Sequence, residues 1–284
     1  MNAVTVSVNV EGFVDQGEVG PDPYRVDRDG RPYVAVGDGG VVQGLRLGDS
    51  VFEHVGDHAA PGACLVHPSV EAGHALAALS CFGNAVIVRS GAAAGAVGRV
   101  LGQRGGGSRV IAVFAPHDLA QLRPGDRVSV TSRGQGSSGP LDGVNQMNVD
   151  PAALALLSTS LREEKLHVSV RTTVASRVVG NGIGRPMASW DLDLQLESPA
   201  HGGVDLRLGD LVAVSDLDAR YNAGFRRGFL SVGIVVHGSS PQPGHGPGLT
   251  VVWSGLAERF VVEEEPLTHQ GITEEGLLSL GRED

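Results

Sequence analysis

Val4, Val6, Val8 and Val10 alternate with Thr5, Ser7 and Asn9, a period of two that predicts a half-buried first strand. Similar patterns predict strands over residues 85–89, 98–101, 108–114, 166–179, 191–197, 229–236 and 249–253. Residues 229–236 are almost continuously apolar, as expected of a strand covered on both faces. Helical spacing is rare and short, at residues 71–81, 151–159 and 274–280. Asp150 ahead of Pro151 supplies a cap and a helix start. Residues 15–40, rich in Asp, Gly, Pro and Arg, read as a long loop.

One device recurs. Leu45-Arg46-Leu47-Gly48-Asp49 returns as Leu122-Arg123-Pro124-Gly125-Asp126 and as Leu206-Arg207-Leu208-Gly209-Asp210, each running into a β-type segment. A turn closed by glycine and capped by aspartate, launching a strand, explains all three copies. The unequal spacing excludes a solenoid. The Gly/Ser-rich stretch 133–142 breaks the strand pattern and marks a boundary near residue 145. The expected fold is mainly β with few short helices, as two linked β-barrel-like lobes with glycine-rich turns. Residues 1–145 form the N-terminal lobe, 146–270 the C-terminal lobe, and 271–284 a loosely attached tail.

Composition narrows the partners. Glycine, at 42 of 284 residues, suits many tight turns. A formal net charge of −10 with 4% aromatics argues against nucleic acid, which is bound by cations and stacking rings. No run approaches the roughly 20 apolar residues of a membrane span. Met1–Val10 lacks the basic start of a signal peptide, and Cys64 and Cys81 are too few for a disulfide framework. A cytoplasmic protein that binds a small molecule, with no nucleic acid and no membrane, is expected, and a homo-oligomer is left open.

Several constellations bear chemistry. Asp57 and His58 sit in a tight turn, able to supply metal ligands or an acid/base pair, or else a plain Asx turn. His237 ends the apolar strand, and His245 follows in the rigid loop Gly244-His245-Gly246-Pro247-Gly248; these are half of a metal site or surface histidines on a turn. Asp216, Asp218 and Arg220 share one face of an extended chain, with Arg226 and Arg227 beyond them, forming either a site or a salt-bridge cluster. Asp191, Asp193, Gln195 and Glu197 alternate with leucines, giving a solvated strand face or a polar cavity wall. Cys81 stands near Asn84, as a nucleophile beside an amide or as an inert buried thiol. Gly180-Asn181-Gly182-Ile183-Gly184 is not a dinucleotide loop, because Pro186 and a strand follow it, not a helix.

Leu79-Ser80-Cys81-Phe82-Gly83-Asn84, Ser90-Gly91 through Gly95 to Gly98, and Gly134-Gln135-Gly136 come in one order with three further pieces. Those are Met147-Asn148-Val149-Asp150-Pro151, Asp191-Leu192-Asp193-Leu194-Gln195 and Gly244–Gly248. From about Asp49 to Trp253 the chain resembles the prokaryotic family known as domain of unknown function 4438. The resemblance implies an N-terminal and a C-terminal unit, and no reaction or catalytic residue. The chain departs from it where a histidine is expected before a Gly-Gly pair, since Arg104 precedes Gly105 and Gly106, and in its Ser/Gly-rich 136–144 loop.

The leading expectation is a metal-dependent enzyme acting on a small polar metabolite, with hydrolysis of an amide or other C–N bond as the first reaction class. That class rests on an analogy of style to glycine-rich β amidases. A divalent metal (zinc, manganese or iron) is the expected cofactor, drawn from the ligand pool Asp57, His58, Asp216, His237 and His245. Asp218 is the expected base, Arg220 the oxyanion or carboxylate holder, and Cys81 an alternative nucleophile. Asn84, Gln135, Asp193 and Arg226 are the expected substrate contacts. The rivals are a non-catalytic ligand-binding or assembly protein, and a metal-independent lyase or isomerase.

Overall fold

The computed structural model describes residues 5–19, 22, 24–105, 109–265 and 271–281. The first half contains β1 (Val8–Val14), β2 (Arg25–Val26), β3 (Pro32–Tyr33), β4 (Val41–Val42) and β5 (Gly62–Val66). Helix α1 (Val70–Leu79) follows, then β6 (Ala85–Val88), β7 (Val97–Arg104), β8 (Arg109–Val113), the short α2 (Pro116–Leu119) and β9 (Arg127–Ser132). Strand neighbours run β1-β9-β6-β7-β8-β5, and β5 returns to pair with β1, so six antiparallel strands close into a barrel. Closure leaves no free sheet edge among these six.

The second half contains β10 (Val144–Gln146), β11 (Thr159–Arg162), β12 (Lys165–Val170), β13 (Thr172–Ala175) and β14 (Leu192–Asp193). It continues with β15 (Leu211–Asp218), β16 (Gly224–His237), β17 (Gly248–Leu256), β18 (Phe260–Glu264) and α3 (Glu274–Ser279). Its main sheet runs β10-β17-β16-β15-β13, with β14 also paired to β17, while β11, β12 and β18 form a separate sheet. The chain leaves the barrel after Ser132 and enters the second sheet at Val144, which pairs with Gly255.

Three apolar clusters hold these layers. Leu65, Leu76, Val86, Val100, Val110 and Val130 fill the barrel. Their chain neighbours Cys64, Leu101 and Ile111 point outward and join Val232, Ile234, Val252 and Trp253 of the main sheet in one core shared by both halves. The opposite face of that sheet, through Val214, Val235, Leu249 and Val251, packs on Met187, Leu192 and Leu194. Burial on both faces is why residues 229–236 carry almost no polar side chain.

The three Leu-Arg-x-Gly-Asp segments are the same turn. Asp49, Asp126 and Asp210 each accept the amide three residues earlier, at 2.7, 2.9 and 2.9 Å. Gly48, Gly125 and Gly209 have φ of 94°, 88° and 89°, a conformation that only glycine adopts without strain. The second and third copies launch β9 and β15. The first does not launch a strand; its turn pairs instead with the third, through Gly48 N–H to Leu208 C=O (2.8 Å) and Val51 N–H to Leu206 C=O (3.0 Å).

Other expectations also shift. Val4 lies outside the described residues, Val6 is exposed, and the first strand runs Val8–Val14. Within 15–40 a small β2–β3 hairpin interrupts the loop. Residues 151–159 give a 3-10 turn over Pro151–Leu156, capped by Asp150 on the amide of Ala152 (2.9 Å). Residues 271–281 are not a loose tail. Leu277 is 0% exposed, Ile272 is buried in the shared core with a 3.1 Å bond to the Gly209 carbonyl, and Arg99 donates to the Leu280 carbonyl. None of the described helices is long and apolar enough to cross a membrane.

Candidate metal centre

A cleft of about 650 Å³ opens where the end of β7 meets β14, the end of β16 and the loop joining β16 to β17. Its floor is a cluster of imidazoles and carboxylates. His58 comes from the N-terminal half, on a loop tied to the other half by His58 N–H to Ser239 C=O (3.2 Å) and Gly238 N–H to Ala59 C=O (2.8 Å). Its backbone has φ 53°, a strained value for a non-glycine residue that the surrounding bonds enforce. His237 is the last residue of β16 and sits across from Gly248 of β17. A β-carbon at position 248 would overlap the His237 Nε2, so glycine there is a steric requirement of the ring's placement.

The rings are oriented from behind. His58 Nδ1 lies 2.7 Å from Asp57 Oδ1, and Asp57 is itself held by Arg25 Nη1 (3.0 Å) and the Tyr33 hydroxyl (2.9 Å). His237 Nδ1 lies 2.9 Å from the Gly238 carbonyl. Both contacts set the ring orientations and turn each Nε2 toward the cleft, although His58 Nδ1 makes no hydrogen bond of good geometry and His237 Nε2 itself faces the Asp191 carboxylate. There His58 Nε2 stands 3.0 Å from His245 Nδ1, and His245 Nδ1 is 3.2 Å from Asp193 Oδ2. Asp193 Oδ1 is 3.8 Å from His58 Nε2 and 3.7 Å from His237 Nε2, and it has no hydrogen-bond partner although Asp193 is only 2% exposed. Asp191 Oδ2 stands 2.8 Å from His237 Nε2, while its Oδ1 accepts the Gly105 amide at 2.6 Å.

Electrostatics follow burial and pairing. Burial lowers the His58 pKa, against the pull of Asp57. For His237, burial acts to lower the pKa, but the hydrogen bond and charge of Asp191 outweigh it and the pKa rises. The bond to Asp193 raises that of His245. Burial acts to raise the Asp57 and Asp191 carboxyls, yet the close approach of His58 and the hydrogen bond from His237 hold them below the usual range. Arg104, buried at the cleft wall, pairs with Asp38 through Nη2, while its Nη1 has no hydrogen-bond partner.

Among the expected ligands, His58, His237 and His245 come together, and Asp57 stands behind His58. Asp193, expected as a substrate contact, lies among the imidazoles. Asp216 does not join them. A register shift between Ser215 and Leu217 puts it at φ 57° on the β15–β16 hairpin, where its carboxylate accepts the Gly228 amide at 2.9 Å. Asp218, the expected base, is gripped by Arg220 (2.9 and 2.8 Å) and Arg226 (3.0 Å), whose guanidiniums lie over the Phe229 ring. The hydrogen bond from Arg220 keeps its carboxyl low, so this trio is a salt-bridge cluster away from the cleft.

Cys81 is 0% exposed, and burial pushes its thiol up to about 12, which removes it as a nucleophile. Asn84 and Gln135 do not line the cleft either. Asn84 accepts the Cys81 amide (2.8 Å) and donates to Asp150 (3.0 Å), and Gln135 bonds Asn148 in both directions (2.9 and 3.1 Å), joining the two halves. Asp191, Arg25 and Tyr33 were not singled out as site residues from sequence. The alternation of 191–197 did offer a cavity wall, and the Arg104 departure flagged the residue that now stands at the cleft.

Comparison with known proteins gives the following. A family model described as domain of unknown function (DUF4438), N-terminal, matches residues 24–155, and its C-terminal counterpart matches residues 156–268. The crystal structure of TM1086 is similar at 34% identity and a TM-score of 0.89, over 94% of this chain and 95% of that one. No curated protein matches the chain.

Proposed function

The chain belongs to the DUF4438 family, and we propose that it is a metal-dependent hydrolase of a small polar molecule, its divalent ion held by His58, Asp193 and His245, with Asp191 and His237 completing a second donor set around the same Asp193. The observation that carries this reading is the Asp193 Oδ1 atom, buried without a hydrogen-bond partner and lying 3.8 and 3.7 Å from the Nε2 atoms of His58 and His237. A buried acceptor left bare costs about 1–3 kcal/mol, so such an arrangement calls for a cation. Tetrahedral coordination at bonds of about 2.0–2.1 Å separates donors by about 3.3 Å. The His58–His245 and His245–Asp193 separations of 3.0 and 3.2 Å lie near that value.

A divalent ion there would polarise a carbonyl and bring the pKa of bound water to about 7. The protein's own groups do the rest. Asp57 and the Gly238 carbonyl fix the ring orientations. Arg104, anchored by Asp38, directs cationic character at the same floor, suited to a substrate carboxylate or a developing oxyanion. A cleft of about 650 Å³ has the size of a metabolite site, and hydrolysis of an amide or related C–N bond is the reaction class to which a polarised carbonyl and activated water belong.

The test is elemental analysis of tag-free protein, together with turnover of a panel of small amides before and after chelation. A stoichiometric divalent metal that is lost in His58→Ala and Asp193→Asn, with metal-restored hydrolysis in the parent protein, supports the reading. Asp218→Asn and Arg220→Ala are expected to leave metal content unchanged. Protein that takes up no zinc, manganese or iron at micromolar concentrations would overturn it.

A further inference from the structure

We propose that the centre holds two divalent ions bridged by the Asp193 carboxylate, a reading that rests on the metal-dependent function above and goes beyond it. The donors divide into two overlapping sets, His58, Asp193 and His245 on one side and Asp191, Asp193 and His237 on the other, each with its ligand atoms within 4.8 Å of one another. Asp193 belongs to both. Its Oδ2 faces His245 Nδ1 at 3.2 Å, and its Oδ1 lies toward His237 Nε2 at 3.7 Å.

A single ion does not account for the second set. Asp191 is 2% exposed and presses one oxygen to 2.8 Å from the His237 Nε2, on the side opposite the Gly105 amide that holds its other oxygen. If only the His58 side bound an ion, a second buried carboxylate would remain against His237 with no partner beyond that imidazole and one amide. Burying such an anion is costly unless a cation meets it, and the His237 ring at 2.8 Å fills that role only by keeping the proton that a second ion would replace. The independent sign of a missing cation is Asp193 Oδ1, which is without a hydrogen bond and points between the two sets.

The scale also fits. The His58 ring centroid lies 4.9 Å from that of His245 and 5.2 Å from that of His237, both edge-on, so the imidazoles converge from different directions. Paired catalytic ions stand about 3.5–4 Å apart, a distance a bridging carboxylate spans. Each ion would keep three protein donors, leaving open positions for water and substrate, as catalytic centres do.

The experiment is metal titration of the tag-free, chelator-stripped full chain with Zn²⁺, followed by electron paramagnetic resonance of the Mn²⁺-loaded protein. Two equivalents per chain are expected, falling to one in Asp191→Asn, to one in His245→Ala and to none in Asp193→Asn. Two Mn²⁺ ions should give a spin-coupled spectrum. One equivalent in the parent chain, with an uncoupled Mn²⁺ spectrum, overturns the two-ion centre while leaving the metal-dependent function standing. No bound metal at all overturns both. Should a variant fail to fold, the parent chain's stoichiometry and spectrum decide the matter alone.

Discussion

Replacing Asp57 by asparagine tests how the centre is built from behind. The carboxylate faces three groups at once, with His58 Nδ1 at 2.7 Å on one oxygen and Arg25 Nη1 and the Tyr33 hydroxyl at 3.0 and 2.9 Å on the other. A guanidinium has donors only, so the new amide keeps its carbonyl toward Arg25 and turns its NH₂ toward His58. That donor confronts Nδ1–H and drives the ring to the tautomer protonated on Nε2, which removes the lone pair from the cleft. Loss of such an orienting partner lowers metal affinity by about 10–100-fold, or about 1.4–2.8 kcal/mol at 1.4 kcal/mol per tenfold. Arg25 keeps Asp38 at 2.9 Å, so the loop survives. Competitive chelator titration with Zn²⁺ measures the change, with Tyr33→Phe, which leaves the Asp57–His58 contact in place, expected to bind within a few-fold of the parent. Unaltered Zn²⁺ affinity in Asp57→Asn, alongside lost binding in His58→Ala, would refute the argument from ring orientation.

Three further outcomes are expected. Metal affinity falls as pH drops, because His237 and His245 hold protons above the ordinary histidine value in the metal-free protein and must release them to bind an ion. Calorimetry in buffers of different ionisation enthalpy should show proton release near pH 6.5, and its absence there, with flat affinity from pH 6 to 8, contradicts the assignment. Leu277→Ala, at a fully buried site on the docked C-terminal helix, should cost about 2–5 kcal/mol in denaturant unfolding; an unchanged midpoint would mean that the helix does not pack as described. Cys81, with its thiol raised to about 12 by burial, should resist a thiol reagent in the native protein and react on unfolding, and fast native labelling of Cys81 would show the thiol to be accessible.

Much of the architecture could be read from residue pattern. The apolar run at 229–236 and the second and third Leu-Arg-x-Gly-Asp turns correspond to the strand and strand-launching turns expected, whereas Val6 and Val8 of the first alternation are exposed. The histidines could be read too, because each sits where a strand or rigid loop ends. Asp216 and Asp218 misled for a physical reason: a β-bulge between Ser215 and Leu217 breaks the period of two, so that the shared face assumed for an extended chain does not exist. Asp191 and Asp193 posed the opposite problem. Their alternation with leucines matches a solvated strand face equally well, and it is the packing of the Gly244–Gly248 loop against Leu194, with Gly105 and His237 against Asp191, that encloses them. Long-range closure of that sort leaves no local signature.

The pairing of the first and third turns across the two halves bears on how such a gene can be divided. A break between residues 155 and 156, where the two family units meet, would cut the Pro151–Leu156 turn and expose Leu101 and Ile111 on one fragment and Val232 and Trp253 on the other. The set His58, Asp193 and His245 would be split, since His58 resides on one fragment and Asp191, Asp193, His237 and His245 on the other. Fission or shuffling of these units would therefore dissolve core and chemistry together, which ties the two modules to a single inheritance.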